Sequence, residues 1–292
     1  MASYAFETVD VFTETRFGGN PLAVFLDGRG LPDAQMQSLA FEFNLSETTF
    51  VLPPADPVNS ARVRIFNRTA EMAFAGHPMI GTAYVLARLR GGDQFRFEVP
   101  AGLAIVDIER RDGEAIGAQV AAPQALSLGR SFPAEKIAAC LGIAASDVII
   151  TTHAPTLASV GNPYIITELR AGALERCMPD LNGFKAAYDG GADLRERFSV
   201  YAYVRDGENV RARMFAPLSG TWEDPATGSA ATPLAGLLLY HNGRDELAFD
   251  IRQGVEMNRP SLLHVTARRE GEAIRTTVAG RCVPVLKGEA QL

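Results

Sequence analysis

Two segments of the chain each predict a helix whose surface is apolar on every side. Residues 75–92 (AGHPMIGTAYVLARLRGG) and 227–243 (TGSAATPLAGLLLYHNG) both begin with glycine beside a small or polar residue, and they end with Gly-Gly or Asn-Gly. Pro78 suits a first helical turn, because its missing N–H is not needed there. A helix without a polar face must be enclosed on all sides. We therefore expect each of these helices to be surrounded by strands.

Much of the remaining chain alternates like short strands, as in YAFETVDVF, QFRFEVP, VIITT and SVYAYVR. In residues 61–67 and 210–217 arginines alternate with apolar residues, which predicts strands with one wet face and one packed face. Residues 33–44 and 133–142 have the pattern of amphipathic helices. Together these patterns predict an α+β fold.

Three sequence features occur twice in the same order, which indicates an internal duplication. The tripeptide GNP precedes an apolar run at 19–21 and again at 161–163, and the arginine-containing strands and the apolar helices are also repeated. Gly76, His77, Leu86 and Gly91 pair with Gly228, Ser229, Leu238 and Gly243 at one constant offset. Duplication explains this order better than chance recurrence of short Gly/Pro motifs. We expect an N-terminal half, 1–121, and a C-terminal half, 122–280, with the return of 281–292 to the first half left open.

Composition narrows the class of partner. The 292 residues are 47% hydrophobic and 21% charged, which is enough apolar material for a sizeable core and argues against disorder. With 28 basic and 34 acidic residues the net charge is −6, and no basic run offsets it locally. Nucleic acid and anionic membrane surfaces are therefore disfavoured as partners. Because no signal peptide or spanning segment stands out, we expect a cytoplasmic protein.

The cysteines and histidines argue against disulfides and metal sites. Three cysteines are widely spaced without a CxxC motif, and we expect them to be buried thiols. Only four histidines occur, and phosphate-loop, zinc-protease and EF-hand motifs are absent. We therefore expect no metal. The residues concerned are Cys140, Cys177, Cys282, His77, His153, His241 and His264.

Candidate chemistry lies at the starts of the two apolar helices. A helix start offers unpaired N–H groups and the positive end of the dipole, which together suit a carboxylate or phosphate. Gly76 and Gly228 would let a ligand approach the backbone closely. The alternative is that His77 and Ser229 simply cap their helices. Since the halves are duplicated, both helix starts could serve one small anionic ligand.

Two acidic positions are candidates for proton transfer. Asp224 lies in TWEDPATGS, just before the second helix start, where it either forms a turn or handles a proton. Glu223 beside it is equally charged, and spacing does not choose between them. Glu47 in NLSETTFVLPP begins an apolar strand, so its carboxylate is either exposed at a rim or partly desolvated. A partly desolvated carboxylate suits a general base near neutral pH.

Six segments together resemble the PhzF-like phenazine-biosynthesis family of the diaminopimelate-epimerase-like fold group. They are GGNPLAVFL, LSETTFV, AEMAFAGHPMIGTAYVL, GNPYII, EDPATGSA and QGVEMNRPS, and the resemblance runs from about Val9 to Val285. It implies two similar halves, each a β-barrel wrapped around a central apolar helix, with the active site in the cleft between them. The barrels are supplied by the resemblance alone. We further expect a homodimer.

The resemblance also implies roles for particular residues. Glu47 is similar to the family's acid/base residue, which takes a proton from one carbon of the substrate and returns it to another. The best-known family activity isomerises a dihydro-hydroxyanthranilate without cofactor or metal. We therefore expect a cofactor-independent isomerase of a small carboxylate-bearing metabolite. The implied catalytic residues are Glu47, His77 and Asp224, and the implied substrate-binding residues are Ser46, Gly76, Gly228 and Ser229.

Two alternatives remain open. Related racemases with two catalytic thiols carry cysteine at the helix-start motifs, whereas this chain has AGHPMIG and ATGSAATP there, so thiol chemistry is disfavoured. One alternative is an epimerase or racemase of an amino acid that uses non-thiol bases. The other is a non-catalytic member that binds a small ligand, because fold and family do not guarantee an activity.

Overall fold

The computed structural model describes residues 2–194, 198–207 and 209–292. The chain forms two compact units. Unit 1 comprises Met1–Pro123 and Val278–Leu292, and unit 2 comprises Gln124–Thr277. The last strand of the chain, β18 (Ala273–Gln291), contains residues of both units.

Unit 1 is a closed barrel of eight strands. Around the ring, β1 pairs with β2, then β3, β4, β6, β7, β8 and β18 follow, and β18 pairs with β1 again. The pairs β2–β3 and β4–β6 are parallel. The strands are β1 (Ser3–Val11), β2 (Asn20–Phe25), β3 (Glu47–Leu52), β4 (Ala61–Phe66), β5 (Glu71–Met72), β6 (Gln94–Val99), β7 (Gly102–Arg111) and β8 (Glu114–Ala121), and the helices are α1 (Asp33–Phe43) and α2 (Gly76–Arg90).

Helix α2 lies inside this barrel. It packs against β1, β2, β3, β7 and β8, and every residue from Gly76 to Ala87 is buried. The fit is close, because a Cβ atom added at Gly81 would lie 2.6 Å from the side chain of Leu22. The expected enclosure of the first apolar helix is confirmed, with Pro78 in its first turn.

Unit 2 contains the same series of strand pairings. β11–β12, β13–β14 and β16–β17 are antiparallel, while β12–β13 and β14–β16 are parallel. This repeats the order found from β1 to β7 of unit 1, with β5 and β15 as short additions to β4 and β14. The strands are β9 (Ser127–Ser131), β10 (Val148–Ile149), β11 (Thr156–Ser159), β12 (Pro163–Leu169), β13 (Val200–Asp206), β14 (Asn209–Ala216), β15 (Thr221–Asp224), β16 (Glu246–Gln253) and β17 (Ser261–Glu270).

The helices of unit 2 are α3 (Ala134–Leu141), α4 (Leu181–Ala187) and α5 (Gly228–Asn242). Short 3-10 turns occur at Ala145–Asp147, Leu174–Arg176, Ala192–Leu194, Pro217–Ser219 and Val255–Met257. Helix α5 packs against β11, β12, β16 and β17, and its residues 230–239 are buried. The amphipathic helices expected at 33–44 and 133–142 are present as α1 and α3. Across the described ranges no helix combines the length and apolar character that crossing a membrane requires.

The expectation of a wet arginine face on β4 and β14 is wrong at two positions. Arg64 and Arg213 are only 9% and 5% exposed. Arg64 forms two hydrogen bonds of 2.7 Å with the Glu71 carboxylate, and Arg213 forms two of 2.8 Å with Glu223. Each guanidinium also lies about 5 Å from the ring of the phenylalanine two residues later in its strand. Buried charges of this kind persist because they are paired and hydrogen-bonded.

Candidate active site

In unit 1 the structure brings Glu47 and His77 together. Glu47 is the first residue of β3, and His77 is the second residue of α2. Their side chains meet because α2 packs against β3 inside the barrel, and the distance from His77 Nδ1 to Glu47 Oε2 is 2.8 Å. The His77 side chain is 5% exposed and the Glu47 side chain is 17% exposed. Two residues from separate sequence motifs thus form one polar pair at the start of an enclosed helix.

The hydrogen bond of this pair determines which nitrogen of the His77 imidazole carries a hydrogen. A carboxylate only accepts hydrogen bonds, so Nδ1 of His77 carries a hydrogen and donates it to Glu47. In the neutral ring, Nε2 is then an acceptor. This atom is buried and has no hydrogen-bond partner among the residues that the structure describes. A buried polar atom without a partner is costly, which makes Nε2 a natural contact for a donor group of a ligand.

The side chains at the start of α2 do not cap the backbone N–H groups of its first turn. Its N-cap residue, Ala75, makes no side-chain capping bond, and the His77 side chain bonds to Glu47 instead of capping the helix. A methyl group at Gly76 would meet only valine side chains at 3.5 and 3.8 Å, which are ordinary contacts, so packing within unit 1 does not demand glycine there. Ser46, which precedes Glu47, is partly exposed. These features suit the close approach of a small ligand to the helix start.

In unit 2 the start of α5 carries a second polar group. Gly228 is its buried first residue, and the Ser229 hydroxyl lies 2.7 Å from the hydroxyl of Tyr164 in β12. The N-cap residue Thr227 makes no side-chain capping bond. Tyr164 was not among the residues singled out from the sequence. Its place directly after the second GNP motif is the signal that could have identified it. The hydroxyl pair and the helix N–H groups together suit a carboxylate.

The structure distinguishes Asp224 from its neighbour Glu223. Asp224 is buried, and its Oδ2 accepts a hydrogen bond of 2.6 Å from the Thr227 hydroxyl. Glu223 is instead occupied by its buried arginine, and Glu71 makes the same bidentate pair five residues before α2 begins. The residue that follows the glutamate is Met72 in unit 1 and Asp224 in unit 2. The glutamate is therefore a structural feature of both units, whereas the aspartate is particular to unit 2.

The three cysteines are buried and lie outside both helix-start motifs in the sequence. Cys140, Cys177 and Cys282 are free and buried, as the sequence predicted. Burial raises the pKa of Cys140 and Cys177 to about 12, and it raises the pKa of Cys282 well above its usual range. These groups are therefore protonated thiols at neutral pH. In the part of the chain that is described, no three His, Cys, Asp or Glu side chains gather as a metal ion would require.

The family model for phenazine biosynthesis-like proteins (PhzC-PhzF) matches residues 9–288. The chain belongs to this family. It is 37% identical to the trans-2,3-dihydro-3-hydroxyanthranilate isomerase of Pseudomonas fluorescens, with 96% of each chain covered. It is 36% identical to an uncharacterized isomerase of Mesorhizobium japonicum, also with 96% of each covered.

A solved structure shows the same fold. The phenazine biosynthesis protein of the PhzF family from Bacillus anthracis superposes with a TM-score of 0.87 over all of both chains, at 23% identity. The relatives' names and this fold confirm two predictions from the sequence, namely the PhzF-like family and the isomerase class.

Proposed function

We propose that the protein is a cofactor-independent isomerase that moves a proton within a small carboxylate substrate, with Glu47 as the acid/base. The observation that carries the proposal is the 2.8 Å contact between Glu47 and His77 at the start of an enclosed helix. The substrate class follows the activity for which the Pseudomonas fluorescens relative is named, so a dihydro-hydroxyanthranilate or a related carboxylate is the first compound to test.

In this mechanism Glu47 begins as a carboxylate. Its Oε2 is held by the N–H of His77, which orients the group so that it takes a proton from one substrate carbon and returns it to another. No second proton carrier is required for the shift, because the same oxygen that receives the proton also releases it. A positioned acid/base group of this kind typically supplies about 10²–10⁴-fold in rate. Nε2 of His77 accepts a hydrogen from a substrate amino or hydroxyl group.

We also propose roles for the polar groups of unit 2. The substrate carboxylate binds at the start of α5, where Ser229 and Gly228 offer a hydroxyl and backbone N–H groups. Gly76 and Ser46 provide further binding groups beside the acid/base pair. Asp224 takes or orients a proton of the substrate during the tautomerisation that follows the first shift. Its Oδ2 accepts a hydrogen bond from the Thr227 hydroxyl, which orients the group.

The test is deuterium incorporation from D₂O into the product, with and without Glu47→Gln. We expect turnover and incorporation to fall about 10²–10⁴-fold in the variant. Glu7→Gln is a matched control, because the Glu7 side chain is 14% exposed, lies in the same barrel and pairs with Arg88 at 3.1 Å. The control should retain turnover. Wild-type turnover in Glu47→Gln would overturn the proposal.

Epimerisation of an amino acid by non-thiol bases is the second candidate. The observation that favours it is a carboxylate in each unit, Glu47 and Asp224, since inversion needs a base and an acid. Loss of optical rotation during incubation with single amino acids would identify this activity. A ligand that raises the melting temperature of both the wild type and Glu47→Gln without any turnover would instead identify a binding protein.

We further propose that the two units are copies of one ancestral barrel around a helix and that the protein acts as a homodimer. Repetition of the strand pairings and of the bidentate Arg–Glu pair supports the duplication. Sedimentation equilibrium tests the dimer, and the mass of a single chain at micromolar concentration would refute it.

A further inference from the structure

We propose that Gln253 is a positioning residue that orders the Thr227 hydroxyl so that its hydrogen points at the Asp224 carboxylate. The inference rests on the proposed function in that Asp224 is taken to handle a proton of the substrate. Gln253 is the last residue of β16 and is uncharged.

All four hydrogen-bonding positions of the Gln253 amide are used. Its Nε2 donates to the backbone oxygen of Asp224 at 2.8 Å and to Thr227 Oγ1 at 3.0 Å. Its Oε1 accepts from the Thr227 backbone N–H at 3.2 Å and from the Tyr201 hydroxyl at 3.1 Å. A primary amide has two N–H groups and two lone pairs, so this residue is fully satisfied although it is buried.

The network permits one orientation of the amide. A flip would place the NH₂ group against the Thr227 N–H and the oxygen against the Asp224 carbonyl, so that both sides would lose their partners inside a buried site. Tyr201 is compatible with this orientation, because burial and the nearby Asp224 raise its pKa, so that its hydroxyl keeps a hydrogen to donate to Oε1. The donor side of Gln253 therefore faces Thr227 Oγ1.

The direction of the next hydrogen bond follows from the first. Because Thr227 Oγ1 accepts a hydrogen from Gln253, its own hydrogen is left to donate, and it points at Asp224 Oδ2, which only accepts. The contact between Oγ1 and Oδ2 is 2.6 Å, which is typical of a bond to a charged acceptor. A directed chain thus runs from Gln253 through Thr227 to Asp224.

The backbone holds Gln253 firmly against this loop. It pairs with Ala212 of β14 on one side and with Ser261 of β17 on the other. Gly254 follows with φ +74°, and a Cβ atom there would lie 2.5 Å from the carbonyl oxygen of Pro225. Glycine is therefore required for the sheet to approach the loop so closely, and the same loop leads into α5.

Comparison with unit 1 shows that Gln253 and Asp224 occur together in unit 2 and are both replaced in unit 1. In the backbone register, Arg62 of β4 lies opposite Glu98 of β6, and the equivalent Arg211 of β14 lies opposite Arg252 of β16. The next residues along the second strand of each pair, Val99 and Gln253, therefore correspond. Unit 1 therefore has an apolar residue at the position of Gln253, as it has Met72 at the position of Asp224. The glutamine accompanies the aspartate that it serves.

The experiment compares Gln253→Leu, Thr227→Val and the double variant. We expect each single change to lower kcat about 10- to 100-fold, as misplacement of a catalytic group does, with KM changed less than about threefold. The double variant should be no slower than the slower single variant within about threefold, because both changes break one chain. Thr227→Ser, which keeps the hydroxyl, should restore wild-type kcat. Thr276→Val is the control, because this buried hydroxyl of unit 2 has no partner among the described residues.

Losses of kcat that multiply in the double variant would overturn the proposal, as would wild-type kcat in Gln253→Leu. If Gln253→Leu does not fold, Gln253→Met replaces it, since it keeps the length of the side chain, adds no charge and removes both donors. Glu47→Gln is assayed in parallel. An inactive Glu47→Gln beside a fully active Gln253→Leu leaves the proposed function intact and removes only the positioning role.

A measurement without substrate covers the case in which the proposed function fails. The Thr227 amide hydrogen is bonded to Gln253 Oε1, so its exchange with D₂O should be about tenfold faster in Gln253→Leu and unchanged in Thr276→Val. An unchanged exchange rate in Gln253→Leu would overturn the inference independently of turnover.

Discussion

Replacing Glu223 by glutamine distinguishes this structural acid from Asp224, the acid that we propose to act on the substrate. Glu223 makes two hydrogen bonds of 2.8 Å to the Arg213 guanidinium, and the two side chains are 12% and 7% exposed. Arg213 also donates to the carbonyl oxygens of Leu174 and Cys177 at 2.9 Å. Glu223→Gln therefore leaves a buried positive charge with neutral partners only.

The size of the loss can be worked from these contacts. Removing one partner of a buried ion pair costs about 3–5 kcal/mol of unfolding free energy. Because Arg213 keeps its two carbonyl acceptors and the glutamine retains one amide oxygen, we expect a loss near the lower end, about 3 kcal/mol. For a unit of this size, the melting temperature falls about 2–4 °C per kcal/mol, so we expect a decrease of about 6–12 °C. Glu71→Gln is the matched variant in unit 1. Its carboxylate is 31% exposed and Asp33 still pairs with Arg64, so we expect only about 1 kcal/mol and 2–4 °C.

The assay is thermal unfolding together with turnover measured well below the transition. Glu223→Gln should be destabilised yet retain kcat within a few-fold, whereas Asp224→Asn should lose kcat about 10²–10⁴-fold. An unchanged melting temperature combined with lost turnover in Glu223→Gln would refute this reasoning. It would show that Glu223 is the acid that acts on the substrate.

Three further predictions concern packing and buried titratable groups. Gly81→Ala should destabilise the protein by about 1–3 kcal/mol in urea unfolding, because the added Cβ would lie 2.6 Å from a leucine side chain, and stability equal to wild type would contradict the enclosure of α2. Cys140 and Cys177 should resist alkylation at pH 8 in the folded state, because burial raises the pKa of each thiol to about 12, and rapid labelling with retained structure would be the opposite result. Burial lowers the pKa of His153, so the unfolded chain binds the extra proton first and stability should fall as the pH drops below about 6.5. His153→Gln should flatten this dependence in melting curves recorded between about pH 5 and 7.

Sequence reasoning was strongest where a pattern has one physical outcome. A helix without a polar face can only be buried, and α2 is enclosed in its barrel as expected. The same reasoning failed for Arg64 and Arg213, because alternation treats every charge as exposed. Their acidic partners are separated from them along the chain, and only the fold shows that the charges are neutralised.

The candidate site shows a similar boundary. Glu47 and His77 were singled out from their own motifs, but their contact depends on the packing of a helix against a strand. Tyr164 and Gln253 were missed because neither is an acidic residue or lies at a helix start, and these were the features that marked the candidates. They matter through hydrogen bonds to Ser229 and to the loop before α5, and such bonds leave no periodic signal in the sequence.

The correspondence between the units accounts for the division of roles in our proposal. The GNP motifs align β2 with β12, and each of these strands pairs in parallel with the next strand. In that register the position of Glu47 in unit 1 corresponds to Ser199, directly before β13, and the Ser199 carbonyl oxygen accepts a hydrogen bond from the Ile165 N–H. His77 likewise corresponds to Ser229. At equivalent places on similar pairings, unit 1 carries a carboxylate–imidazole pair suited to proton transfer, and unit 2 carries hydroxyl groups suited to binding an anion. Ser229→Ala should therefore raise KM more than it lowers kcat, whereas Glu47→Gln should lower kcat with little change in KM, and a reversed pair of effects in steady-state kinetics would contradict this division.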